Sequence, residues 1–173
     1  MPQITRKLEF DAGHRVLGHE SKCAHLHGHR YVVEITVSSF GLDEISRVVD
    51  FGVVKGLVGQ WLDENWDHNM LLHMDDPLLE ANVPVRLDGD TDKLMSWKEA
   101  LDLVQAGTHV NFSSEPIFGG KVPYIVPNRE NPTAEVMSRL LYEKARELLD
   151  NNGLQVHAVR LYETPNCWAD HEG

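Results

Sequence analysis

His29-Arg30-Tyr31-Val32-Val33-Glu34-Ile35-Thr36-Val37-Ser38 decides the fold of this chain, because its Tyr, Val, Ile and Thr enrichment is that of a β-strand. Upstream, Gln3 to Arg15 reads as a first strand, with Ile4, Leu8 and Phe10 available for a buried face before Gly13 breaks the run. Glycines and charges from Gly18 to Ala24 mark a loop between them, so the two strands are expected to pair antiparallel. Downstream of Gly41 come a turn, a short strand around Arg47 to Val49, and a helix opening at Asp50, whose carboxylate can cap first-turn N–H groups. Phe51, Val54, Leu57, Val58, Trp61 and Leu62 recur at helical spacing as its buried stripe, and it ends near Asn65.

A second long helix starts at Asn131-Pro132-Thr133, where Asn or Thr can cap and Pro suits a first turn, and runs to Asp150 before Gly153. Val136, Met137, Leu140, Leu141, Ala145, Leu148 and Leu149 make its apolar face. A last strand, Leu154 to Glu163, is expected to end at Thr164-Pro165, since proline cannot continue a ladder. Strand runs joined by turns, plus two long amphipathic helices, point to an α+β domain with the helices on one face of an antiparallel sheet. The stretch from Pro77 to Asn128 reads as an insertion, rich in Asp, Gly and Pro. It has its own capping box at Ser96 to Glu99 and a possible strand at Thr108 to Phe112, while Gly119-Gly120 and Pro123 keep the rest loop-like.

The length of 173 residues suits one domain. A charged fraction of 25% and a hydrophobic fraction of 42% are those of a soluble protein, and no apolar run approaches a membrane span. The opening MPQITRKLEF has no signal-peptide core, which makes the cytoplasm the expected compartment and free thiols the expected state of Cys23 and Cys167. A net charge of -11, spread along the chain, argues against a nucleic-acid partner but leaves a small anionic substrate open.

His27-Gly28-His29 stands at the entry to the second strand, where residues two apart point to one side, so both imidazoles can converge on one ion. His14 could supply a third ligand. Three neutral imidazoles suit Zn²⁺ and leave a position open for substrate or water, the arrangement of a catalytic site. A lone His-x-His is more often a pair of surface histidines, and here its company matters. Cys23 lies four residues before His27, and Asp67-His68 follows the first long helix. A thiol beside Zn²⁺ or an imidazolium gives up its proton more readily and can then act as a base. His19, His25, His73, His109, His157 and His171 receive no role, and Cys167 reads as a small hydrophobe.

Six segments complete a pattern: Phe10-Asp11-Ala12-Gly13-His14-Arg15, Cys23-Ala24-His25-Leu26-His27-Gly28-His29, Val49-Asp50-Phe51, Leu62-Asp63-Glu64-Asn65-Trp66-Asp67-His68, Asn131-Pro132-Thr133-Ala134-Glu135 and Tyr162-Glu163-Thr164. In this order they resemble the 6-pyruvoyltetrahydropterin and 6-carboxytetrahydropterin synthases, from the amino terminus to about Leu78 and from about Asn131 to the end. The resemblance implies a tunnelling fold, a four-stranded antiparallel sheet with two helices on one side, assembled through trimeric barrels into a homo-hexamer with active sites between subunits. It implies zinc on His14, His27 and His29, and Cys23 as proton acceptor. Asp67 and His68 would form a relay from a neighbouring subunit, and Glu163 would anchor the pterin ring. Thr133 and Glu135 match positions lining the same pocket, although Thr133 would serve equally as a helix cap.

The substrate so implied is 7,8-dihydroneopterin triphosphate. One branch eliminates triphosphate and tautomerises to 6-pyruvoyltetrahydropterin. The other cleaves a carbon–carbon bond, releasing acetaldehyde and leaving 6-carboxytetrahydropterin, the queuosine-pathway intermediate. The short spacing from Cys23 to His27 resembles the second branch. Two other readings stay open: a GTP cyclohydrolase would use cysteine as a metal ligand, and a non-catalytic zinc protein would need the metal for folding alone.

Overall fold

Strands β1 (Gln3–His14) and β2 (His27–Ser38) pair antiparallel along their whole length, from Gln3 opposite Ser38 to His14 opposite His27. The computed structural model describes residues 1–87, 92–112 and 122–173. Among the described residues seven further strands follow: β3 (Asn69–His73), β4 (Asn82–Arg86), β5 (Asp92–Ser96), β6 (Asn111–Phe112), β7 (Tyr124–Val126), β8 (Gln155–Thr164) and β9 (Cys167–Glu172). The main sheet has the order β7-β3-β1-β2-β8-β9.

This corrects the expected four-stranded antiparallel sheet. The sheet has six strands and is mixed, because β3 runs parallel to β1 and β7 runs parallel to β3. Both of these strands are short and draw their pairing from distant parts of the chain. Pro165 and Asn166 do end β8, but as a turn that sends the chain back antiparallel along it as β9. The strand expected at Arg47 to Val49 is absent. The Asp43 carboxylate instead accepts the backbone N–H of Ile45 (3.0 Å) and Arg47 (2.8 Å) and folds that segment into a turn. Of the strand expected at Thr108 to Phe112 only Asn111–Phe112 forms, and Gly119-Gly120 lies outside the described residues.

The first helical rod comprises α1 (Phe51–Val54), a π-turn (Lys55–Gly59) and α2 (Gln60–Asn65), and Asp50 caps it by accepting the Gly52 N–H at 2.7 Å. Helix α3 (Trp97–Gln105) carries the expected Ser96–Glu99 capping box, and α4 (Ala134–Leu149) is capped by Thr133. Val54, Val58 and Leu62 from the first rod and Met137, Leu141, Ala145 and Leu149 from α4 share one hydrophobic cluster with Phe10, Tyr31, Val33, Ile35, Val159 and Leu161 of the sheet. The alternation of β1, β2 and β8 therefore commits one face to the core, and both long helices cover it. A second cluster of Leu72, Leu79, Val83, Val85, Trp97 and Ala100 joins β3, β4 and α3. Among the described residues no helix is long and apolar enough to cross a membrane.

Candidate active site

The core-facing alternation of the sheet runs on past its apolar residues into histidine. Leu8, Phe10 and Ala12 are followed on the same face of β1 by His14, and Val33 and Tyr31 are preceded on that face of β2 by His29 and His27. His14 is buried, His27 and His29 half-buried, and one ring nitrogen of each lies within 4.8 Å of the others. Gly13 and Gly28 sit opposite each other between these ligands. A side chain at Gly28 would begin 3.0 Å from the Ala12 carbonyl oxygen, a contact tight enough that the strands would have to shift by a few tenths of an ångström to accept it.

Backbone carbonyls aim the rings. His14 Nδ1–H donates to the Pro132 carbonyl (2.7 Å) and His27 Nδ1–H donates to the His25 carbonyl (2.7 Å). Both Nε2 atoms are thereby left as lone-pair donors, and they face each other at 3.1 Å. Burial holds the His14 pKa below its ordinary value, which opposes a proton between them. Burial also lowers that of His29, whose Nε2 is buried without a hydrogen-bond partner among the described residues. Converging lone pairs and an orphaned buried nitrogen fit a cation. Two nitrogens of a tetrahedral site with bonds of about 2.0–2.1 Å would lie about 3.3 Å apart. These three residues could hold one metal ion, and among the described residues neither cysteine joins the group.

Glu163 extends the same face of β8 beyond Val159 and Leu161 and brings Oε1 to 3.5 Å from His14 Nε2. Cys23 is a free, half-buried thiol in a 3₁₀ turn (Lys22–Ala24), and its carbonyl accepts the Val16 N–H (2.8 Å), tying that turn to the chain just after His14. Cys167 is also free, and exposed. Thr133 Oγ1 accepts the Val136 N–H at 3.4 Å, which gives it the cap role, while Glu135 is exposed in the first turn of α4.

Asp67 and His68 form a pair elsewhere. Asp67 Oδ1 accepts the Asp11 backbone N–H (2.8 Å), and Oδ2 accepts from His68 Nδ1–H (2.6 Å). His68 has a left-handed backbone (φ +52°), pinned by its N–H to the Asp11 carbonyl at 2.6 Å. With Asp11, Gly13, His27, Gly28, His29 and Arg30 it lines a cleft of about 840 Å³ beside Met70 and Leu78. Asp11 and Arg30 alternate with His14, His27 and His29 along β1 and β2, so their side chains belong to the opposite face of the sheet.

Sequence reasoning missed Tyr31, whose buried hydroxyl has no partner among the described residues and whose ring lies 5.5 Å from that of His29. It also missed the carbonyls of Pro132 and His25. Both act through backbone atoms, which residue type does not reveal.

A profile of the family described as 6-pyruvoyl tetrahydropterin synthase matches residues 3–173. The chain belongs to this family. It is 37% identical over 171 residues to the 6-carboxy-5,6,7,8-tetrahydropterin synthase of Rickettsia bellii, covering 98% of this chain and 99% of that one. The protein of the same name from Rickettsia felis is 34% identical over the same shares. Among solved structures, an uncharacterized protein of Wolinella succinogenes superposes with a TM-score of 0.68 at 25% identity, over 99% of this chain and 97% of that one. A Plasmodium vivax 6-pyruvoyltetrahydropterin synthase variant shares the fold, with a TM-score of 0.59 at 16% identity over 99% and 98%.

Proposed function

We propose that this protein is a zinc-dependent 6-carboxy-5,6,7,8-tetrahydropterin synthase, converting 7,8-dihydroneopterin triphosphate to 6-carboxytetrahydropterin, acetaldehyde and triphosphate on the way to queuosine. The observation that carries the proposal is the set of three imidazoles converging beside a carboxylate, in a chain that matches synthases of that name along nearly its whole length. All-nitrogen ligation supports zinc in an open catalytic site over the cysteine-containing set of a cyclohydrolase.

His14, His27 and His29 would hold the zinc ion, which would supply Lewis-acid chemistry toward the substrate's side-chain hydroxyls. Cys23 takes a side-chain proton, and His68, held by Asp67 as the Nδ1–H tautomer, exchanges protons through Nε2. Glu163 accepts hydrogen bonds from the 2-amino group and ring N–H of the pterin, and Thr133 and Glu135 stand at the rim. On this reading the Asp67–His68 pair completes the site of a neighbouring copy, in a homo-hexamer or other trimer-based assembly of tunnelling-fold subunits. On this reading the enzyme is cytoplasmic and forms one domain, residues 77–128 being an insertion built around the second cluster.

The test is anaerobic incubation of zinc-loaded protein with 7,8-dihydroneopterin triphosphate, with mass spectrometry of the products and a Cys23→Ala control. A carboxy product bears the proposal out. A three-carbon pyruvoyl product moves the protein to the sister activity with the same site, and no turnover refutes the substrate assignment.

A further inference from the structure

His73 has had no part in the site so far, yet the turn it opens touches both segments that hold His14. Its Nδ1 accepts the Asp75 backbone N–H (3.0 Å), which makes the ring the Nε2–H tautomer. Nε2–H then donates to the Arg129 carbonyl at 2.8 Å, from a side chain only 12% exposed. The Asp75 carboxylate takes the Arg129 guanidinium as well. Arg129 and Asn128 both have left-handed backbones, with φ of +57° and +60°, a conformation non-glycine residues keep only where their surroundings hold it.

Two residues beyond Arg129, the Asn131 amide exchanges hydrogen bonds with the Leu17 backbone, accepting its N–H (2.7 Å) and donating to its carbonyl (3.0 Å). The next carbonyl, that of Pro132, receives His14 Nδ1–H. From the other end of the same turn, buried Asp76 takes the Arg15 guanidinium through Nε (2.6 Å) and Nη2. Arg15 is the neighbour of His14. One short turn thus grips the chain beside the ligand and the chain that aims it.

We infer that residues 73–76 form a bracket that sets the His14 imidazole, with His73 as a positioning residue. By holding the left-handed pair at 128–129, His73 delivers the Pro132 carbonyl to His14 Nδ1 and so directs Nε2 to the ion. The inference rests on the reading of the triad as a metal site.

The test compares His73→Gln, His73→Asn and His73→Leu. Glutamine can still place an N–H donor at the Arg129 carbonyl, whereas asparagine is too short to reach it and leucine has no donor. Two readouts are taken: ¹⁵N chemical shifts of the His14 ring in metal-free protein, and zinc affinity by chelator competition. Wild type and His73→Gln should show one Nδ1–H tautomer of His14 and affinities within about twofold of each other. Asparagine and leucine should give mixed tautomers and zinc binding about tenfold weaker. Unchanged tautomer and affinity in His73→Asn, or equal loss in the glutamine and asparagine variants, would overturn the inference. Should the leucine variant fail to fold, the Gln–Asn pair, which differs by one methylene, still decides. A His14→Ala control separates the two levels: if it binds zinc like wild type, the metal-site reading fails, while the His14 shifts still decide the bracket.

Discussion

Replacing Asp67 by Asn probes the proposed proton relay through His68 with little disturbance of the fold. The Asn carbonyl can keep the 2.8 Å bond from the Asp11 N–H, and the His68 backbone stays pinned to the Asp11 carbonyl. What changes is the partner of His68 Nδ1. An amide NH₂ now faces it, so Nδ1 must accept, the ring proton moves to Nε2, and the nitrogen that exchanges protons loses its lone pair. Trading a charge-assisted bond of about 1.5–3 kcal/mol for a neutral one of about 0.5–1.5 kcal/mol costs about 1 kcal/mol of stability. The exposed position of His68 places that cost at the low end. Loss of a correctly protonated acid–base group should lower kcat by about 10²–10⁴, or about 3–5 kcal/mol of barrier. Initial rates, thermal unfolding and zinc content measured on one preparation make the test. The reasoning predicts slow turnover in a folded protein with full zinc. Activity within about threefold of wild type would refute the tautomer argument, and so would unfolding or loss of zinc.

Other outcomes follow from the same geometry. Tyr31→Phe removes an unpartnered buried hydroxyl while keeping the 5.0 Å stack on Phe10, so metal-free protein should gain about 1 kcal/mol in urea unfolding; a loss would expose a partner for that hydroxyl. Burial lowers the pKa of His14 and His29 below 6.5, so in that range the unfolded chain binds more protons than the folded one. Metal-free protein should therefore be fully stable with respect to these groups above pH about 6.5 and lose stability as pH falls below it, and His14→Gln should flatten the decline; a flat profile in wild type would contradict the assignment. Cys23→Ala and His68→Ala should each be inactive alone. Unfolded together and refolded as mixed oligomers, they should recover up to about a quarter of wild-type activity if one subunit supplies the thiol and another the imidazole, and none if each site is built from one chain.

Much of this architecture is legible in residue type. The β1–β2 hairpin follows from β-branched enrichment, the rod at 51–65 and α4 from helical spacing, and their starts from Asp50 and Thr133 as caps. Strands β3 and β7 are not legible, because five-residue and three-residue segments set no period and their parallel partners lie far along the chain. β9 escapes for another reason. Its sequence, Cys-Trp-Ala-Asp-His-Glu, is polar and largely exposed, and its pairing with β8 is fixed by the turn at Pro165-Asn166. At the site, the convergence of His27 and His29 is legible in His-x-His, since strand geometry turns that spacing into a shared face. The carbonyls that aim them, and the turn at 73–76 behind them, depend on backbone placement that no motif encodes.

The measurement that bears most directly on the account is acetaldehyde release, read continuously with a coupled alcohol dehydrogenase, from zinc-loaded, chelated and zinc-reloaded protein given 7,8-dihydroneopterin triphosphate. The account predicts one acetaldehyde for each 6-carboxytetrahydropterin formed, lost on chelation and restored by zinc. Pterin turnover without acetaldehyde, or acetaldehyde release indifferent to the metal, would contradict it.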